Sequence, residues 1–250
     1  MNFMKKIKFI QLKNKSLFVQ FFISNLILVS VALITGLVIN SSVGNILFEE
    51  SRTNYENLLS YSCERFYQSL TNIGGISDKL YMDANVDVFT TRDVMQVNSP
   101  YDISKLSTLI SSYQAFNPEI GKLFVYSSVS DILMTSGNIL RFSEVYGRDV
   151  KFGDMSAEEF KSQYLNSYQY HTITSEMPVT FWGETKNYIL YLTSTTISSK
   201  DNVTGCILIM IESERIHDLF ERFTPQNNGF IYLHNTSNEL ITKKIGRAHV

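Results

Sequence analysis

YILYLTSTTI at 188–197 and TGCILIMI at 204–211, separated by the polar run SSKDN at 198–202, decide the fold. Both runs are rich in β-branched residues and hydrophobic on at least one face, the composition of strands near the centre of a sheet. The short polar connection predicts that they pair as a long antiparallel hairpin.

Working upstream, KLFVYS at 122–127 is a short β-rich run, SVSD at 128–131 a turn and ILMT at 132–135 a return strand, closed by SGN at 136–138. Between the two hairpins, Ser156-Ala-Glu-Glu159 has the spacing of a capping box and predicts a short helix ending near Asn166. Before them, Ser99-Pro100-Tyr101-Asp102 reads as a helix start. That helix should turn Ile103, Leu106, Leu109, Ile110 and Tyr113 inward and stop before Asn117-Pro118. Downstream of the long hairpin, residues 212–223 return to helical spacing (Ile216, Leu219, Phe220, Phe223), and 229–234 with 239–242 begin another hairpin. An isolated hairpin is marginal in water, so the chain is expected to fold poorly beyond about Phe223.

The N-terminal part reads differently. No charged residue occurs between Ser16 and Glu49, and Lys5, Lys6, Lys8, Lys13 and Lys15 precede that gap without an acid among them. The apolar stretch 17–39 would span roughly 34 Å as a helix, enough for a hydrocarbon core of ~30 Å. Lysines on its N-terminal flank predict a cytoplasmic N-terminus and an exterior location from about Asn40 onward. A cleaved signal peptide fits less well, because the run is long and ends in INSSV at 39–43 without a small-x-small site. From Val43 to about Leu80 the apolar positions Ile46, Leu47, Leu58, Leu59, Cys63, Phe66, Leu70 and Ile73 recur at helical spacing, predicting a long stalk helix. Gly74-Gly75 is expected to kink or end it.

Composition narrows the function classes. The tail lysines and Arg247 account for six of 22 Lys and Arg, so 16 cations face all 24 acids and residues 17–244 net −8. Such a balance argues against nucleic-acid or anionic-membrane binding by the exterior part. Cys63 and Cys206 are expected to be small buried apolar residues rather than a disulfide, and the four histidines have no metal spacing. Phosphate loops, nucleophile elbows and zinc-protease motifs are absent, so no enzyme activity, metal or cofactor is expected.

The order of stalk helix, hairpin, helix, long hairpin, helix and new strand pair resembles the extracellular double Cache module of bacterial transmembrane receptors. The likeness rests on LFVY at 123–126 with DILMTSG at 131–137, on 188–211 followed by ESERI at 212–216, and on FIYLHN at 230–235 with LIT at 240–242. The resemblance implies an α+β architecture: a transmembrane helix, a long stalk helix, a PAS-like antiparallel sheet and the start of a second sheet. It implies a cytoplasmic tail 1–16, a span 17–39, a stalk 40–82, a membrane-distal subdomain 83–223 and the beginning of a membrane-proximal one at 224–244. Residues 245–250 (IGRAHV) read as translated sequencing adaptor, so the chain is expected to be the front part of a longer protein.

The tail KNKSLF at 13–18 looks most like Gram-positive membrane-anchored regulators of the AraC type, with receptor histidine kinases as the near alternative. The implied function is an anchored sensor of a small extracellular solute, with DNA bound only through a domain absent from this chain. An anchored protein-interaction domain is the other reading. The sequence lacks the Tyr, Arg, Trp and Asp constellation by which amino-acid-sensing members of the family hold their ligand. Candidate ligand residues are the aromatics Tyr126, Trp182, Tyr188 and Tyr191, whose rings suit stacking with one hydrogen bond. Asp131 reads as a turn former. Asn25, Ala32 and Gly36 are candidates for helix association in the membrane, and a homodimer through the transmembrane and stalk helices is expected.

Overall fold

The computed structural model describes residues 17–93, 100–199, 202–220, 230–235 and 238–245. The basic tail, the Ser99 cap, the tip of the 198–202 loop, residues 221–229 and most of the IGRAHV end lie outside that set.

The first helix, α1, runs Leu17–Tyr81. The chain divides into two compact units at Asn57 and Leu58. Of the first unit, the apolar stretch has a mean hydropathy of 2.5 and none of it is buried, so α1 is the one described helix long and apolar enough to cross a membrane. Ser30 and Thr35 donate to the carbonyls of Leu26 and Val31 one turn back, so their hydroxyls are satisfied within the helix.

The second unit is an α+β domain around one antiparallel sheet. Its strands are β1 (Lys122–Ser127), β2 (Ile132–Met134), β3 (Ile139–Arg141), β4 (Val150–Phe152), β5 (Thr172–Ile173), β6 (Met177–Phe181), β7 (Glu184–Ser199) and β8 (Asn202–Glu212). Their order is β3-β2-β1-β8-β7-β6-β4. β7 is long enough to pair with β8 along one edge and with β6 and then β5 along the other. Where β5 and β6 part, Thr174 bridges the gap: its N–H donates to the Leu190 carbonyl and its hydroxyl accepts from the Leu190 N–H.

Alternation sorts the strand residues onto two buried faces. Leu123, Val125, Ile189, Tyr191, Ile207 and Ile209 pack beneath helices. These are the end of α1, α2 (Ala84–Thr91), α3 (Pro100–Phe116) and, after the short α4 and α5 introduced below, α6 (Ser213–Leu219). The other face carries Phe124, Tyr126, Leu190, Leu192, Leu208 and Met210. It is covered by residues 142–165, which include α4 (Phe142–Val145) and α5 (Ala157–Phe160). Burial on both faces is why the long strands read as almost unbroken apolar runs. The capping box forms as expected: Ser156 accepts from the Glu159 N–H while the Glu159 carboxylate accepts from the Ser156 N–H. It starts α5 so that Phe160 enters the core.

Several expectations are corrected. Gly74-Gly75 neither ends α1 nor marks its boundary, since the helix continues to Tyr81. Gly74 instead permits close packing, because a Cβ there would sit 2.9 Å from the Tyr191 hydroxyl. Cys63 is exposed while Cys206 is buried. The inward stripe of α1 runs through Ser62, Phe66, Leu70 and Ile73, and Cys63 falls one residue out of phase with it. The hairpin β9 (Phe230–His234) and β10 (Leu240–Ile245) is a separate two-stranded sheet, yet it is not isolated. Ile241 is buried in the helix-side core, the Glu176 N–H donates to its carbonyl at 2.7 Å, and Ser175 donates to the Leu240 carbonyl. A domain cut at Phe223 would lose that docking.

Asp131 occupies a left-handed turn position, φ 55°, and does more than turn the chain. Its carboxylate accepts from the Ser143 N–H and the Tyr126 hydroxyl and pairs with Lys161 at 2.7 Å. Burial pushes its pKa up, but hydrogen bonds from Lys161 and Ser143 outweigh burial and hold it below the usual value. A depressed folded-state pKa gives stability that is complete at neutral pH and is lost as pH falls below the ordinary carboxylate range. Asp131→Asn should therefore cost about 1–2 kcal/mol near pH 7. The difference from wild type in urea unfolding should shrink in strong acid, and a gap independent of pH would contradict the ion pair's role.

Candidate ligand cleft

A cleft of ≈ 300 Å³ opens between the end of α1, the segment before β5 and the upper half of β7, lined by Asp78, Tyr81, Met82, Tyr168, Gln169, Tyr170, Thr193 and Ser194. Polar side chains build its walls. Ser77 donates to the Thr193 hydroxyl at 2.8 Å in a buried contact that pins α1 to β7. Ser194 and Gln169 exchange hydrogen bonds: the Gln169 N–H donates to the Ser194 hydroxyl and the Ser194 N–H to the Gln169 carbonyl. The Gln169 amide donates in turn to the Gln163 carbonyl and the Ser167 hydroxyl. His171, at φ 50°, turns the chain into β5 and places its Nε2 2.8 Å from Asp78 Oδ1.

Aromatic rings form the rim. Tyr170 stacks on His171 with centroids 4.4 Å apart and planes 8° from parallel, and His171 leans on Tyr191 at 5.6 Å. Tyr81, Tyr168 and Tyr170 are 43%, 40% and 66% exposed, Tyr170 keeping the face away from His171 uncovered by it. Tyr191 lies buried behind them. Burial, and after it the Asp78 carboxylate and Tyr170, push its hydroxyl up to about 12, so it stays neutral at physiological pH.

Other hollows fit a ligand less well. One of ≈ 450 Å³ near Glu176, Glu212 and His217 has most of its charges engaged, with Lys186 on Glu184 and Glu212, Arg215 on Glu212 and His217 on Glu176. One of ≈ 160 Å³ between Phe66, Leu70, Ile216 and Leu219 is below the range of small-molecule sites. A third, ≈ 400 Å³, is lined by α1 residues alone and has no opposite wall.

The four aromatics singled out from sequence are not gathered around one cavity. Tyr126 and Tyr188 are buried on the loop-covered face, Tyr126 donating to Asp131 and packing edge-on against Phe142. Tyr191 is on the helix-covered face. Tyr188 and Tyr191 are three residues apart in a strand, and an odd separation sends side chains to opposite faces. Trp182 is 54% exposed in the two-residue turn between β6 and β7. Trp182 and Gly183 have φ of 52° and 84°, the geometry of a type I′ hairpin turn. Asn is favoured at the first of these positions, so Trp182→Asn should leave the thermal midpoint unchanged or raise it slightly. A fall of several degrees would mean that the exposed ring supports the fold. In α1, Asn25, Ala32 and Gly36 are all exposed. Sequence reading missed Asp78, Tyr81, Tyr168, Tyr170, Thr193 and Ser194, for which only the alternating tyrosines of SYQYH at 167–171 gave any signal.

No family model and no curated protein matches this chain. Among solved structures it is similar to the sensory domain of the Campylobacter jejuni chemoreceptor Tlp3 (CcmL) with isoleucine bound. That likeness has 11% identity and a TM-score of 0.45, covering 79% of this chain and 72% of that one. It is also similar to the periplasmic sensory domain of the Campylobacter jejuni chemoreceptor Tlp1, at 8% identity and a TM-score of 0.49, covering 74% of this chain and 69% of that one.

Proposed function

We propose that this chain is the sensing part of a membrane-anchored receptor that binds a small extracellular solute in the cleft beside Asp78. The observation that carries this reading is that the cleft takes one of its walls from α1, the same helix whose first turns form the apolar stretch. A solute drawn between Tyr81 on α1 and Tyr168 and Tyr170 on the loop acts directly on that helix. In lipid, the lysine-rich tail keeps the N-terminus inside and the α+β domain outside. For the output, the resemblance of the tail at 13–18 favours an AraC-type regulator over a kinase, and the chain pairs with a second copy through α1.

The test uses the full chain in lipid nanodiscs, screened against amino acids, sugars, organic acids and amines by amide exchange. Added protection at 74–82 and 167–171 with at least one solute is expected. No protection from any solute would overturn the sensing reading. A reporter fused after Ser51 that works only in the cytoplasm would overturn the orientation.

A further inference from the structure

We infer that the cleft selects a small organic cation, an amine or quaternary ammonium; this rests on the sensing reading and specifies its ligand. The argument begins with which polar groups of the cleft are already engaged. Thr193 accepts from Ser77, Ser194 is bonded to Gln169 and Ser167, and the Gln169 amide donates to Gln163 and Ser167. The floor's hydroxyls and amide are therefore engaged in holding α1 and the loop to the strand. Polar contacts for a ligand are thus left to the tyrosine hydroxyls of the rim and to Asp78.

What remains open is the tyrosine rim and one carboxylate. Three partly exposed tyrosine rings line the cleft, Tyr170 with one face covered by His171, and a ring's π face is the negative end of its quadrupole; Asp78 supplies a carboxylate whose side chain is 48% exposed. His171 bonds its Oδ1, and a carboxylate offers about four lone-pair sites, so capacity for another donor remains. None of the eight lining residues is Lys or Arg, so nothing in the lining offers an anion a counter-charge. The Met82 thioether adds a soft apolar edge, suited to methyl groups. Aromatic faces around a single carboxylate are the surroundings in which a desolvated ammonium is held by cation–π attraction. The net charge of −8 over residues 17–244 adds a long-range bias of the same sign.

Calorimetric titration of the full chain in nanodiscs tests this with choline, ethanolamine and the neutral carbon isostere of choline, dimethylbutanol. Choline or ethanolamine should bind, and dimethylbutanol should bind at least about tenfold more weakly than choline. Asp78→Asn should weaken the cation about tenfold, and Tyr170→Leu several-fold, the latter at an exposed ring with the thermal midpoint unchanged. Equal binding of choline and its isostere would overturn the cation assignment, as would binding indifferent to both substitutions. If neither cation binds, the assignment also fails. The sensing reading then stands or falls separately, on whether other solutes protect 74–82 and 167–171 from exchange.

Discussion

Phe160→Ala is expected to lower the stability of the α+β domain by about 3–5 kcal/mol, the range for emptying a buried aromatic site. Phe160 is fully buried in the layer over the loop-covered face of the sheet. Its ring stacks on Phe152 with centroids 4.1 Å apart and planes 11° from parallel, and it meets Phe142, Tyr146 and Tyr164 at 6.1, 6.3 and 5.2 Å. No single neighbour can move in to fill the hole, because Phe142 and Phe152 are held in their own helix and strand and Tyr146 by its hydroxyl on the Met155 carbonyl. Domains are stable by only about 5–15 kcal/mol, so the loss is a large share of the total. Urea unfolding followed by near-ultraviolet circular dichroism would measure it. A change below about 1 kcal/mol would mean that the aromatic layer is loosely packed.

Gly205→Ala should be comparably damaging, for the opposite reason of excess volume. Gly205 lies in β8, paired with Ser127 of β1 and Thr195 of β7, where the sheet has neighbours on both sides. A Cβ there would stand 2.4 Å from the Tyr126 carbonyl oxygen, 2.5 Å from a Thr90 methyl and 2.7 Å from the Thr195 hydroxyl. The first of these is backbone in an adjoining strand, so relief requires the ladder itself to shift. Overpacking usually costs about 1–3 kcal/mol, and this site belongs at or beyond the upper end. Gly75→Ala is the matched control. A Cβ there meets nothing within 4 Å, and the change in a helix interior should be neutral or stabilising by up to about 1 kcal/mol. Equal behaviour of the two variants would show that the close approach at Gly205 is not fixed.

The elements with strong local signals were legible in the sequence. KLFVYS marks β1 at its true bounds, Asn117-Pro118 follows the end of α3 at Phe116, and Ser156 with Glu159 forms the predicted cap. The strands β3 to β6 are two to five residues long, too short for alternation to accumulate, and were not read. Gly74 carries the local signature of a helix breaker, yet its role is set by Tyr191, more than a hundred residues away. The cleft is harder still, because 78–82, 168–170 and 193–194 meet only once the sheet has formed. The odd spacing of Tyr188 and Tyr191 already said that the two rings could not share a face.

The type I′ turn at Trp182-Gly183 also decides what the protein's own fluorescence can report. The chain has a single tryptophan, placed at the hairpin tip beside Glu184, whereas the cleft borders Ser194, ten residues further along β7. At ~3.3 Å per residue the two are about 33 Å apart along the strand. Emission excited at the indole band would follow the wetting of that tip and stay silent as the cleft fills, so an unchanged spectrum on adding solute is the signature of a remote emitter. A tryptophan introduced at Tyr168, with Trp182 replaced by Asn, would move the optical probe to the rim of the cleft.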